Sequence, residues 1–400
     1  MVTQKTFLEF FAGIGLVNLG LQRSGWECLY ANDISEKKQE MYLDEFPGAT
    51  YFHREDIWNT GSVLEHISER AGLATAFFPC KDLSLAGQMR GLSGTDSGAL
   101  FGFIKVMRRL EKRGLMPPIV LLENVVGLLS SREGEEFKKT CQAVAGLGYY
   151  LDAVIVDAKY FVPQSRPRLF IVGTLPEIMS SVTHDADTWA SEITSRNGAT
   201  SKKLLGAMKS TKLPTGWVAH RLPPLPKVKN TISSFIDVDD RQTWWVKEEV
   251  EKHLNRTSEA HRNEIEQFRQ SGTTSIGTGF RRIRNGTTRV EIRFDGIAGC
   301  LRTANGGSAR QLIVLVQAGE VKMRWMTPRE YARLQGAPTF NIQRGINQSL
   351  TGFGDGVCVP VIEWVDVNII TEIYDRATSR KYEPQHTDMS VDSVISSRSE

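Results

Sequence analysis

Cysteine is scarce and scattered in this chain, with five in 400 residues at positions 28, 80, 141, 300 and 358. An odd count without CxxC or a Cys/His cluster argues against a disulfide framework and against zinc, so no metal is expected. Charge of one sign is lacking too. Lys+Arg 49 against Asp+Glu 46 leaves a net charge of +3, and a nucleic-acid role would need a local basic surface. No uninterrupted apolar run approaches the roughly 20 residues that cross a bilayer. The start, "MVTQKTFLEFFAGIG", places Glu9 inside its apolar stretch and lacks a signal-peptide layout. Internal repeats are missing as well. These absences predict a soluble, cytoplasmic protein of a reducing compartment with no membrane partner.

What is present is a chain 40% hydrophobic, enough to bury a full core, with a length that suggests two or three domains. In the first part, short apolar runs ("TFLEF", "WECLYAND", "ATAFF", "PIVLLENV") alternate with helical patterns such as "SEKKQEMYLDEF" and "GALFGFIKVMRRLEKRG". That alternation predicts an α/β fold, a mostly parallel sheet with helices on both faces. "YYLDAVIVDAKYFVPQSRPRLFIVGT" reads as two strands around a proline-containing turn. After about Thr174 the character changes, and "HRLPPLPKVKN" marks a domain seam. "KEEVEKHLNRTSEAHRNEIEQFRQSG" is helical and polar, and "IGTGFRRIRNGTTRVEIRFDG" is a hairpin turning at Asn285-Gly286. Apolar α/β character resumes near Arg324, and the Ser- and charge-rich end is expected to lack a fixed fold.

Two stretches carry chemistry. Strand "TFLEF" runs into Phe11-Ala12-Gly13-Ile14-Gly15, a glycine turn that lets backbone approach a nucleotide-like ligand. The dinucleotide fingerprint fails because Asn18 stands at the third glycine, which weakens an NAD-dependent oxidoreductase reading. Asp33 and Asp56, at strand ends, suit ribose hydroxyls and an exocyclic amine, although such acids are more often turn residues or helix caps. In "AFFPCKDLSLAG", Cys80 is either core filler, the commoner fate of a free cysteine, or a nucleophile at a strand's edge.

Eight blocks then occur in one order: "FLEFFAGIGLVNLGL", "AND", "REDI", "FFPCKDLSLAG", "LLENV", "VPQSRPRLFIVG", "MTPREYARLQGAP" and "GFGDGVCVPV". The set resembles the ordered motifs of bacterial, restriction-modification-type DNA (cytosine-5-)-methyltransferases. The likeness covers about Thr6 to Ser181 and Arg324 to Glu372, and the stretch between corresponds to that family's variable target-recognition region.

The resemblance implies an S-adenosylmethionine-dependent fold, with S-adenosylhomocysteine as product and a smaller mixed recognition domain. On it, residues 1–180 form the first part of the catalytic domain and 181–322 the recognition region. Residues 323–377 then return to complete the catalytic domain, and 378–400 are a tail. Cys80 would be the nucleophile that adds to cytosine C6, with Pro79 shaping its turn. Glu123 would hold the N3 edge, and Asn124 would order the strand end. Arg166 and Arg168, with Gln164 beside them, would contact the base O2 and brace the site. Phe11, Ala12, Gly13, Gly15, Asp33, Ile34, Asp56, Ile57, Asp355 and Val357 would bind the cofactor. Arg329, Glu330 and Arg333 are expected to be structural. The pattern departs from the family's commonest residues at Glu9, Leu16, Asp355 and Ala337, and at Lys81, where glutamine is usual. Either only the backbone of Lys81 matters, or its ammonium meets a phosphate or assists thiolate formation.

A cytosine in duplex DNA must be flipped to reach such a site. The Lys81–Ser97 loop, with Gln88 and Arg90, is a candidate lid. Arg281, Arg282, Arg284 and Arg289, with Arg293 and with Arg302 and Arg310 further on, form the expected DNA-facing surface. A separate endonuclease acting on the same sequence is a partner that the restriction-modification likeness admits, and the enzyme is expected to be monomeric and nucleoid-associated. The competing readings are a tRNA cytosine-5 methyltransferase and a catalytically silent DNA-binding relative.

Overall fold

The first strand, β1 (Thr6–Phe10), is buried along its whole length. Phe7 faces one apolar layer and Leu8 and Phe10 the other, the period-two pattern of a strand covered on both sides. The same alternation recurs in β5 (Ile119–Val125), where Ile119 and Leu121 oppose Val120 and Leu122. The structure is a computed structural model. It describes residues 4–79, 98–179, 189–196, 198–227, 231–239, 243–284, 286–303 and 309–379.

Among these residues, seven strands make the large sheet. With β2 (Glu27–Asp33), β3 (Phe52–Arg54), β4 (Leu73–Ala76), β6 (Tyr150–Asp157) and β7 (Pro167–Thr174), the order is β3-β2-β1-β4-β5-β7-β6. Pairing is parallel from β3 to β5, and β7 runs antiparallel to both neighbours. The order reverses between β1 and β4, so a crevice opens beyond their carboxyl ends, the usual ligand position in such sheets.

One layer holds α1 (Leu16–Gln22) and α2 (Glu36–Glu45). The opposite layer holds α3 (Thr60–Glu65), α4 (Ala99–Lys112) and α5 (Glu135–Ala145). It also holds α6 (Trp189–Ser195) and α7 (Lys202–Ser210), through Ile193, Leu204 and Met208. Here the structure differs from the expected boundary at 181. Val218 N–H donates to the Leu151 carbonyl at 2.8 Å, adding backbone to the sheet's edge. Buried Asp152 on β6 accepts a bidentate pair from Arg196 (2.8 and 2.6 Å) and a bond from the His220 backbone at 2.9 Å. Residues 189–220 therefore pack with the large sheet, and the seam is the proline-rich stretch that follows.

The smaller unit contains α8 (Lys247–Leu254), α9 (Glu259–Ser271) and four antiparallel strands: β8 (Ser275–Arg284), β9 (Thr287–Arg293), β10 (Gln311–Gln317) and β11 (Glu320–Trp325). Their order is β11-β10-β8-β9. Val290, Ile292, Leu312, Val314 and Met323 pack under Val250 and Ile265 of the two helices. β8 and β9 stay paired out to Arg284 and Thr287, the residues that flank the expected turn. The expected boundary at 322, however, falls inside β11.

The chain then continues through α10 (Pro328–Leu334), α11 (Ile346–Asp355), α12 (Val359–Val365) and α13 (Thr371–Ser379). Glu330 caps α10 and accepts both nitrogens of buried Arg324 (2.9 and 2.5 Å), while Arg333 pairs with Asp237 at 2.8 Å. The "TPREY" segment thus clamps the small sheet to the large one, the structural part foreseen for Glu330 and Arg333. No helix among the described residues is long and apolar enough to cross a membrane.

Candidate active site

The glycine loop leaves β1 through Phe11 at φ 59°, Gly13 at φ 60° and Gly15 at φ 87°. A Cβ on Gly15 would lie 2.4 Å from Phe46 Cε2, so both the backbone and the space require glycine there. Asp33, at the end of β2, accepts from Gly13 N at 3.0 Å and from Ser35 N at 2.9 Å. It performs the turn duty of a strand-end acid, and its remaining lone pairs can still take a ribose hydroxyl. Ala12 and Ile57 are buried, whereas Ile34 is 69% exposed on the same rim. Asp56 Oδ1 accepts from Trp58 N at 3.0 Å.

Behind the loop lies a network that sequence reasoning noted only as a departure. Glu9, 1% exposed, accepts from Asn18 N at 3.3 Å and from Tyr42 Oη at 3.0 Å. Asn18 Nδ2 in turn donates to Tyr42 Oη (2.7 Å) and Tyr51 Oη (3.2 Å). Burial pushes the Glu9 carboxyl up to about 8, against the lowering effect of the Tyr42 and Asn18 bonds. The residue at the missing third glycine is thus the donor that ties α1 to an internal carboxyl. The adenosine of S-adenosylmethionine, which carries no phosphate, fits this loop and its strand-end acids. The return segment packs directly on the loop: Cβ atoms on Gly352 and Gly356 would meet Ile14 and Leu16 at 2.9 and 2.6 Å. Val357 is buried there, and the Asp355 carboxylate meets Lys38 Nζ at 3.2 Å and accepts from Thr303 Oγ1.

Across the crevice, Glu123 and Asn124 occupy the end of β5. Asn124 Nδ2 donates to the Phe78 carbonyl at 3.5 Å, tying this strand end to the half-buried Pro79 that follows β4. Cys80, Lys81, Gln88 and Arg90 lie outside the described residues. Arg168, at the start of β7, places Nε 2.8 Å from Glu123 Oε1. Burial raises the Glu123 carboxyl above the usual carboxylate range, with Arg168 and Arg166 pulling the other way.

The two arginines expected to act together do different things. Arg166 is 2% exposed, and its guanidinium donates to the carbonyls of Leu301 (2.6 Å), Gly354 (3.0 Å) and Gly356. It therefore braces two segments from inside, the one at Leu301 and the end of α11, whereas Arg168 pairs with Glu123. Gln164 works beside Arg166, donating to the Leu334 carbonyl at 2.7 Å and accepting from Leu301 N at 3.3 Å.

Cys300 is a residue the sequence did not flag. Its Sγ lies 3.4 Å from Arg166 Nη1. Burial opposes its thiolate, but Arg166, Arg168 and Arg302 outweigh burial and hold the thiol below its ordinary value. Nothing in "AGCLRT" beyond Arg302 distinguishes it from a core cysteine, because Arg166 and Arg168 reach it by tertiary packing.

The expected DNA-facing arginines divide between two faces of the small sheet. Arg282 pairs across β8–β9 with exposed Arg289, on the face shared by Phe280 and Glu291. Arg281 and Arg310 turn to the other face, where both guanidinium groups lie over the Trp325 ring, at 4.7 and 5.3 Å. Arg302 is exposed beside the Arg166 brace. Arg284 closes the β8–β9 pairing opposite Thr287.

A family model described as C-5 cytosine-specific DNA methylase matches residues 5–371. Type II methyltransferase M.HpaII of Haemophilus parainfluenzae is 28% identical over 386 residues, covering 92% of this chain and 90% of that protein. M.HhaI of Haemophilus parahaemolyticus is 23% identical over 372 residues, covering 92% and 95%. Among solved structures, the Dnmt2 methyltransferase of S. pombe aligns with a TM-score of 0.56 at 16% identity, covering 93% of this chain and all of that one. A methyltransferase of Entamoeba histolytica aligns with a TM-score of 0.58 at 14% identity, covering 93% and 99%. With the motif order, the sheet topology and the paired acid and guanidinium at the strand ends, these matches place the chain in the C-5 cytosine-specific DNA methylase family.

Proposed function

We propose that this enzyme methylates C5 of a flipped-out cytosine in a specific duplex DNA sequence through a covalent Cys80–C6 adduct. S-adenosylmethionine, held by the glycine loop, Asp33 and the Asp56 edge, would supply an electrophilic methyl group. Cytosine C5 is a poor nucleophile by itself. Addition of the Cys80 thiolate to C6 forms the S–C6 bond and pushes the C5–C6 π electrons toward C5 and the N3 side. Glu123 is suited to hold N3, since burial favours the protonated form of its carboxyl and so eases the sharing of a proton with N3 as charge develops there. Arg168 would hold Glu123 and the base O2, and Arg166 keeps the strand that carries Arg168 in place. After C5 is methylated, loss of its proton returns the electrons and expels the thiolate.

The observation that carries this reading is the 2.8 Å Glu123–Arg168 contact on a strand end that Asn124 ties to the segment leading into Pro79. The basic small sheet supports duplex DNA as the substrate. Bisulfite sequencing of DNA from cells expressing the wild type and Cys80→Ser tests it. Methylated cytosine at one position of a fixed sequence, absent with Cys80→Ser, is expected. Unmodified DNA with the wild type, or methylation that survives Cys80→Ser, overturns it.

A further inference from the structure

Between Ile193 and Ile236 the chain carries eight Lys or Arg and no Asp or Glu. With a net charge of +3 overall, the rest of the molecule is therefore net acidic. The stretch contains α7, which turns Leu204 and Met208 inward and leaves Lys202, Lys203 and Lys209 at the surface. Lys202 and Lys203 stand in its first turn without an acid beside them, where the helix's partial positive charge opposes them. Exposed Lys227 joins them from the linker, because Leu225 packs on Gly198, 3.1 Å from where a Cβ would stand. Among the described residues none of these four lysines is in an ion pair.

This cluster lies on the rim of the candidate site, outside the small sheet. The chain enters α7 beside β6, where Ile155 N donates to the Ala199 carbonyl at 3.0 Å, next to the Val156–Arg168 pair. It leaves toward Leu151, at the opposite end of β6. From the strand that carries Glu123, the entry to α7 is three strand spacings away, about 14 Å. That distance spans about four base pairs of a duplex.

The surface offers charge and little else. Among the described residues of 189–227 no large hydrophobic side chain is exposed. A protein or a membrane is held by such apolar anchors, whereas a phosphodiester backbone needs only cations. Lysine is a compact charge without the fork of arginine, so it holds a phosphate and carries no sequence information.

We propose that α7 and the adjoining linker form a second duplex-DNA contact, in which Lys202, Lys203 and Lys227 hold phosphates that flank the recognised sequence. The inference rests on the reading that the substrate is duplex DNA. It adds a contact made by the catalytic unit, blind to sequence, that lengthens the stretch of duplex the enzyme holds.

The test measures binding by fluorescence anisotropy, with S-adenosylhomocysteine present, on duplexes of about 12 and 30 base pairs. Both share one central sequence, a site that bisulfite sequencing finds methylated. The proteins are the wild type, the triple variant Lys202→Ala/Lys203→Ala/Lys227→Ala, and a control, Arg108→Ala/Arg109→Ala/Lys112→Ala. The control removes as much exposed charge from the end of α4 that leads to the start of β5, away from the rim. Thermal unfolding checks that each is folded. On the long duplex the triple variant should bind roughly tenfold more weakly than wild type, with the slope of log K against log salt reduced by about three. On the short duplex it should match wild type, and the control should match wild type on both. A triple variant that keeps wild-type affinity and slope on the long duplex overturns the proposal, and so does a control that loses as much. If no cytosine is methylated in any sequence, the reading beneath the proposal fails, and both duplexes then take an arbitrary sequence. A slope that still falls with the triple variant alone keeps the surface without the chemistry, and methyl transfer without that fall keeps the chemistry without the surface.

Discussion

Glu123 and Arg168 lie within 2.8 Å, and removing the cation leaves a buried carboxyl without its charge partner. Arg168→Ala should lower kcat by roughly 100-fold or more while leaving the affinity for S-adenosylmethionine, measured by calorimetry, within about twofold of wild type. Equal losses in both would move Arg168 out of the reaction. Glu9 makes a different prediction. Its carboxyl titrates near 8 when folded against 4.5 ordinarily, so the native state holds a proton that the unfolded chain has released. The stabilisation is complete below the ordinary value and is lost as pH rises toward 8, at up to about 1.4 kcal/mol per pH unit. Glu9→Gln should flatten the fall in unfolding free energy between pH 5 and 8, and an unchanged slope would assign the titration elsewhere.

At the scale of elements, residues 189–220 are held to β6 by buried ions. Arg196→Ala would strand Asp152, whose carboxyl the Arg196 and His220 contacts hold well below its usual range despite burial. A loss of about 3–5 kcal/mol in denaturant unfolding is expected, and the wild-type contribution should fade only in acid below the ordinary aspartate range. A loss under about 1 kcal/mol would contradict that packing. The large sheet was legible because its strands are covered on both faces and so read as unbroken apolar runs, and β8–β9 because 285–286 is a strong turn signal. The hairpin β10–β11 was not, since Ala318-Gly319 lacks that signal although both residues take positive φ. The 181 boundary misled for another reason: Ile193, Leu204 and Met208 are too few and too spaced to announce which sheet they cover. The motifs marked the glycine loop, Glu123 and Arg168 directly. The inward role of Arg166 depends on Leu301 and Gly354, and the cationic setting of Cys300 depends in turn on Arg166; each pair is over 130 residues apart, and no local pattern encodes that.

Taken whole, the molecule carries a net charge of only +3, so its hold on DNA must come from where its cations sit. Arg302 is exposed beside the brace that joins the two sheets, a place suited to a phosphate and not to a base edge. Arg302→Ala should weaken all duplexes alike and reduce the slope of log K against log salt by about one. A sequence-dependent loss would make it a reader instead. The account as a whole turns on the bond between Cys80 and the cytosine ring. Duplex DNA in which 5-fluorocytosine replaces cytosine blocks the final proton loss, so the adduct should persist. Incubated with S-adenosylmethionine and the wild-type enzyme, such DNA should yield a protein–DNA species stable in hot detergent, missing with Cys80→Ser. A folded, cofactor-binding wild type that forms no such species would contradict the account.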